Sequence, residues 1–193
     1  MAVLSVVSLG TGSAEYLTRG GEVAMRNAKQ LVLRTGRSPI ASFLTEQGFD
    51  FDTLDDLYEQ CEDFDAFHQA AAVTLFSRMK EGDLCYVVSD AAFDGTVFAL
   101  QRLKPRDLEL RIVPGVSLAD CCLSLIKRQS GHVRIMSACE LEESKLLPDE
   151  PLLLCELYSR ECAGDCKLKL MELLPDELPV TLITGRAEDG TLQ

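Results

Sequence analysis

An apolar run that breaks into glycines opens the sequence: Val3 to Ser8, then Leu9-Gly10-Thr11-Gly12-Ser13. A run of this length without polar alternation reads as a strand buried on both faces. The two glycines can take backbone angles closed to other residues, so the turn can bring the chain close to a ligand. Open α/β sheets bind ligands at the carboxyl ends of their strands, which is where this turn lies. Taken alone, Gly10-Thr11-Gly12 also fits an ordinary tight turn, because Glu15 stands where a dinucleotide-type loop needs a third glycine.

The same kind of run recurs along the chain. Strand-like segments cover residues 31–34, 84–88, 109–113, 133–137, 152–157 and 180–184, with a shorter candidate around Phe49 and Phe51. Helical patterns lie between them. Ser38 reads as an N-cap with Pro39 at the first helical position and Gly48 as the stop. Phe64, Phe67, Ala71 and Leu75 recur at helical spacing up to Gly82, and residues 118–127 and 162–173 read likewise. Alternating strands and helices predict an α/β fold with largely parallel pairing. The Pro114-Gly115 break before a new helix divides the chain into residues 1–116 and 117–193. The second part holds few strands for a sheet of usual width, so it is either a small domain or one cut short.

Charge and composition narrow the function classes. The chain of 193 residues is 47% apolar, enough for a real core, and carries 31 acidic against 19 basic residues for a net charge of −12. A polyanion would be repelled over most of such a surface, and no basic stripe with interleaved aromatics appears, so nucleic-acid binding is disfavoured. No apolar stretch reaches the length of a membrane span and the start carries no basic leader, which predicts a cytoplasmic protein without membrane attachment. The 8 cysteines fall largely within apolar periodic segments, as small buried side chains and not as a disulfide framework. Cys162 and Cys166 lack the second close pair that zinc requires, so no metal is expected. Glu59-Gln60-Cys61-Glu62 supplies only half of a pyrophosphohydrolase metal motif, and His68 and His132 read as structural.

Four segments share one pattern: residues 7–18 around the glycine turn; Leu33-Arg34-Thr35-Gly36-Arg37-Ser38-Pro39; Ile112-Val113-Pro114-Gly115-Val116-Ser117; and Leu157-Tyr158-Ser159-Arg160 continuing to Leu182. In this order and spacing the chain resembles the tetrapyrrole (corrin/porphyrin) methylase family. Within it, the acidic stretch Asp55-Asp56-Leu57-Tyr58-Glu59 is most like the methylase-like domain fused to MazG-type nucleotide pyrophosphohydrolases. The resemblance implies two α/β domains with S-adenosylmethionine in the cleft between them, usually in a homodimer. It implies cofactor contacts at Gly10, Thr11 and Gly12; at Asp90, Ala91 and Phe93; at Ser117 and Leu118; at Tyr158 near the adenine; and at Gly185. Arg34, Arg37 and Arg160 are candidates for an anionic small-molecule acceptor, since guanidinium groups pair with carboxylates through two N–H donors. They fit equally well as partners of the chain's own carboxylates. The resemblance gives no catalytic side chain.

Where the family commonly reads Gly-Asp-Pro, this chain has Ser89-Asp90-Ala91. A side chain at the glycine position narrows the approach to the cofactor, so S-adenosylmethionine binding is expected to be weak, and Ser89→Gly with Ala91→Pro to strengthen it. Three readings stay open: a methyltransferase acting on a small molecule; a degenerate, non-catalytic binding or regulatory domain associated with a nucleotide pyrophosphohydrolase; and a domain that holds a phosphorylated nucleotide at residues 10–13.

Overall fold

The computed structural model describes residues 2–127, 132–138, 141, 146–147, 150–157, 159–185 and 192–193. The chain divides into two compact units, Met1–Cys121 with Gly185–Gln193, and Cys122–Thr184. The first unit is built from β1 (Val3–Ser8), α1 (Arg19–Asn27), β2 (Gln30–Leu33), α2 (Ile40–Glu46), β3 (Asp52–Thr53), α3 (Asp55–Gln60), α4 (Phe64–Arg78), β4 (Leu84–Val88), α5 (Gly95–Leu103) and β5 (Glu109–Val113). Its five strands pair in the order β3-β2-β4-β1-β5, all parallel. The α/β class and parallel pairing expected from the alternation are therefore present.

Period-two alternation along buried strands explains the two layers of helices. Leu84, Tyr86 and Val88 of β4 share one core with Phe67, Ala71 and Leu75 of α4 and Val97 and Leu100 of α5. Cys85 and Val87 face the other core, with Met25 of α1 and Ile40, Ala41 and Leu44 of α2. Each fully buried large apolar side chain contributes about 1.5–3 kcal/mol, so packing outweighs local propensity in holding helices this short. That is why α1 forms although it opens Arg19-Gly20-Gly21, whose two glycines disfavour a helix. Its donors are met by the Thr18 hydroxyl, which accepts from the Gly21 N–H at 3.1 Å.

The second unit pairs β6 (Arg134–Ser137) with β7 (Leu152–Cys155) in parallel and packs α7 (Arg160–Met171) on them. Met136, Ala138, Leu141 and Cys166 form its core. α6 (Leu118–Leu125) follows β5 in the chain, and the division between the two units falls within it.

Several expected elements are corrected. Residues 180–184 join no strand ladder, and Val180 and Leu182 are 80% and 72% exposed. Their apolar alternation suits a strand, but a strand also needs a neighbour to take its hydrogen bonds, and none pairs with it among the described residues. β7 stops at Cys155 and not at residue 157, because Glu156 takes a left-handed φ of 64° that ends the extended path. The strand expected around Phe49 and Phe51 lies just beyond them as β3. At α2, Pro39 and not Ser38 occupies the cap position, with no side-chain cap bond. Helix α5, unforeseen, starts where the Asp94 carboxylate accepts from the Val97 N–H at 3.1 Å. Among the described residues no helix is long and apolar enough to cross a membrane.

Candidate functional site

Strands β4, β1 and β5 are neighbours and parallel, so the loops that leave their carboxyl ends converge at one edge of the sheet. After β1, Gly10 and Gly12 take φ values of 68° and 85°. The Leu9 and Gly10 N–H groups donate to the Ser89 carbonyl after β4, at 3.0 and 2.6 Å. A Cβ on Gly10 would run into the Val116 carbonyl after β5, so the glycine is required twice, for its angle and for its clearance. A Cβ on Gly115 would strike the Ser8 carbonyl oxygen and lie 2.7 Å from the Ser8 carbonyl carbon. The loops after β1 and β5 thus meet backbone to backbone.

Side chains tie the third loop in. The buried Ser8 hydroxyl accepts from the Ala91 N–H at 3.0 Å. Asp90 spreads its carboxylate over two elements. One oxygen accepts from the Ala92 N–H at 3.0 Å within its own turn. The other accepts from the Leu118 N–H at 3.3 Å and the Ser117 hydroxyl at 3.5 Å, at the start of α6. Gly10, Asp90, Ala91, Ser117 and Leu118 are therefore brought into one cluster. Thr11 lies in the β1 loop, where its hydroxyl accepts from the Ser13 N–H at 3.4 Å. Gly12 faces Pro39 and the Ser38 hydroxyl, which a Cβ would approach to 3.3 Å. Phe93 sits half-buried on the 90–94 turn, its N–H donating to the Asp90 carbonyl at 3.2 Å.

The other expected residues fall elsewhere. Gly185 makes an isolated antiparallel bridge with Leu192, and a Cβ there would meet only the Leu192 side chain at 3.9 Å. Tyr158 lies outside the described residues. Arg160 opens α7 and is exposed. Arg34 stands 3.4 Å from the Asp94 carboxylate, which is only 2% exposed, while Arg37 pairs at 3.2 Å with Glu59 where both are well exposed. The Arg37 pair is worth little and exchanges partners readily. Around it, the Asp55 carboxylate accepts from the Thr35 hydroxyl at 2.6 Å and the Gly36 N–H at 2.8 Å. Burial would raise the Asp55 carboxyl, but these bonds, Thr53 and the Arg37 charge outweigh it and hold it below its usual range.

Ser8 and Asp94 carry no role in the sequence reading, and Gly115 enters it only as a break and a family-like segment. Ser8 had a signal, a polar residue closing an otherwise apolar buried run, and Asp94 sits as an N-cap before Gly95-Thr96-Val97. The structure also corrects the expectation for Ala91→Pro. Proline would delete the N–H that Ser8 accepts, leaving a buried hydroxyl without that partner and working against the turn.

Behind the turn lies a buried polar group. Tyr86, Asp94 and Thr96 are at most 2% exposed, and the His68 Nδ1 stands 3.1 Å from the Thr96 hydroxyl. The Tyr86 hydroxyl faces Thr96 without a hydrogen bond of good geometry, and burial with the nearby Asp94 charge pushes its pKa up. Burial alone pushes the Cys85 thiol to about 12 and keeps it an unreactive core side chain. His68 is lowered from 6.5, chiefly by burial, which the Asp94 and Asp65 charges oppose and the Arg34 charge reinforces. The unfolded chain therefore takes up this proton first on acidification. Stability from neutral His68 is complete above about 6.5 and falls as the pH drops from there to the depressed folded value. Denaturant midpoints between pH 7 and pH 5 should show this slope, and His68→Gln should flatten it; an unchanged slope would contradict the assignment.

Comparisons with known proteins fit this architecture. The tetrapyrrole (corrin/porphyrin) methylase family model matches residues 3–184. An uncharacterized Bacillus subtilis protein, YabN, is 27% identical over 191 residues, which is 97% of this chain but only 39% of that protein's length. Among solved structures, the precorrin-6Y methylase (cbiE) of Archaeoglobus fulgidus superposes with a TM-score of 0.56 at 15% identity, covering 79% of this chain and 72% of that one. A cobalamin synthesis related protein (CobF) of Corynebacterium diphtheriae gives 0.60 at 18% identity, covering 86% and 76%. At these identities the likeness is one of fold. With its family model matched over residues 3–184, the chain belongs to the tetrapyrrole (corrin/porphyrin) methylases.

Proposed function

We propose that this chain binds S-adenosylmethionine at the converging loops 9–12, 89–93 and 115–118 and transfers its methyl group to a small-molecule acceptor. The observation that carries the reading is the Asp90 carboxylate on the first donors of α6. A helix N-terminus is a natural seat for an anion, and here the chain's own carboxylate fills it. A phosphorylated nucleotide, the third reading, would have to displace that carboxylate and face its charge. A ligand with a positive centre meets a complementary field. The residues present therefore fit the sulfonium cofactor that family membership implies.

When bound, S-adenosylmethionine supplies a methyl group already activated on a cationic sulfur. What the protein adds is placement and exclusion of water. Gly10 and Gly115 let three backbones close on one point, Ser8 and Asp90 lock the 90–93 turn, and Leu9 and Ala91, 3% and 7% exposed, give it apolar backing. Of the three candidate arginines, Arg34 faces a buried carboxylate, while Arg37 and Arg160, each in its own unit, are exposed. We propose further that the chain acts as a homodimer, for which light scattering at tens of micromolar should give twice the 21.2 kDa chain mass. The alternative, a non-catalytic module that serves a nucleotide pyrophosphohydrolase, predicts binding without transfer.

Titration calorimetry with S-adenosylmethionine, its demethylated product and a nucleoside triphosphate tests the reading. Both sulfur compounds should bind at one site per chain and the triphosphate should give no saturable heat. Binding of the triphosphate with silence from both sulfur compounds would overturn it.

A further inference from the structure

We propose that Arg34 and Asp94 form a positioning pair that sets the 90–93 turn, so that Arg34 supports this loop and does not recognise the acceptor. The turn is pinned in front by Ser8 and by the start of α6. Behind, it is closed by Asp94, whose N–H donates to the Asp90 carbonyl at 3.1 Å and whose carbonyl accepts from the Phe98 N–H at 3.3 Å. One carboxylate oxygen of Asp94 caps α5 through Val97. The other is buried, has no hydrogen-bond donor, and lies 3.4 Å from the Arg34 Nη1.

A carboxylate this buried is costly unless a compensating charge is at hand. Among the described residues, Arg34 is the cation within 4 Å of it. Arg34 is itself fixed to the sheet: its N–H donates to the Val87 carbonyl at 3.0 Å, and its guanidinium lies 5.9 Å from the centre of the Phe67 ring. The pair thus transmits the position of β2 and β4 to the end of the turn that carries Asp90. Without the Arg34 charge, the second Asp94 oxygen is left buried with no partner and moves toward water, and this movement shifts the turn. Removing both charges relieves the conflict, because Asp94→Asn keeps an oxygen to cap α5.

The consequence for cofactor affinity rests on the methyltransferase reading, but the position of the turn does not. Amide hydrogen exchange without ligand reads it directly, at the Ala91 N–H held by Ser8 and the Leu118 N–H held by Asp90. In Arg34→Met these two amides should exchange about tenfold faster than in the wild type, while Val6 and Val32 in the strands stay within about threefold. The double variant Arg34→Met/Asp94→Asn should bring both back to within about threefold of the wild type. A purely structural loss would speed strand and turn amides alike, and the second substitution would not rescue it. Should Arg34→Met not fold, Arg34→Lys gives the same test, with a smaller acceleration at the same two amides, because a point charge on a shorter reach fits the geometry less well. Unchanged turn amides in either single variant, or no rescue in the double, overturn the proposal. If the wild type binds no S-adenosylmethionine, the proposed function fails while the exchange result still decides the pair.

Discussion

Gly115→Ala lowers the stability of the chain by about 3 kcal/mol or more, the upper range for an overpacked site. The size follows from what the new methyl meets. It strikes the Ser8 carbonyl oxygen, with the carbonyl carbon at 2.7 Å and the Ser8 Cβ at 3.1 Å. These atoms belong to β1, which is hydrogen-bonded to both β4 and β5, so they cannot swing aside as the end of a long side chain would. Relief requires parting the β1 and β5 loops, and this also draws Ser8 from the Ala91 N–H. Equilibrium denaturation checks the magnitude. A loss below about 1 kcal/mol, or the gain that Gly→Ala gives at an uncrowded site, would mean that the loops are not in contact.

Asp94→Ala should cost about 2–3 kcal/mol, from two separable sources. Loss of the α5 N-cap accounts for about 1 kcal/mol. The rest comes from leaving the Arg34 guanidinium without its carboxylate, discounted because that side chain is 30% exposed and can turn toward water. Asp94→Asn should recover about the capping share, since the amide oxygen can still accept from the Val97 N–H. Equal losses in the two variants would show that capping carries nothing and the charge everything.

Much of the first unit was legible because its central strands are buried: Val3–Ser8 and Leu84–Val88 form where the apolar runs lie. Glu109–Val113 pairs where expected but as an edge strand, with Glu109, Arg111 and Ile112 exposed. Yet Pro179-Val180-Thr181-Leu182-Ile183 carries an equally good pattern and makes no ladder among the described residues, since pattern records what a segment can do and not which partner it meets. Helix α5 was missed for the converse reason. Gly95-Thr96-Val97 has weak helix propensity, and the decisive features are the Asp94 cap and the burial of Thr96, Val97, Ala99 and Leu100.

The site divides in the same way. Gly10 and Gly12 announce positive φ from sequence alone, and both have it. The bond from Ala91 to Ser8 joins residues 83 positions apart, so neither residue's role can be read locally. Arg34 looked like a ligand arginine only until its buried neighbour was known.

Backbone amide shifts, followed as S-adenosylmethionine or its demethylated product is titrated into the chain, locate the cofactor site. Saturating shifts should centre on residues 10–12, 91–93 and 117–118 and be lost in Asp90→Ala. Shifts centred elsewhere, or none at ligand concentrations of about 1 mM, which already correspond to only about −4 kcal/mol of binding, would contradict this placement.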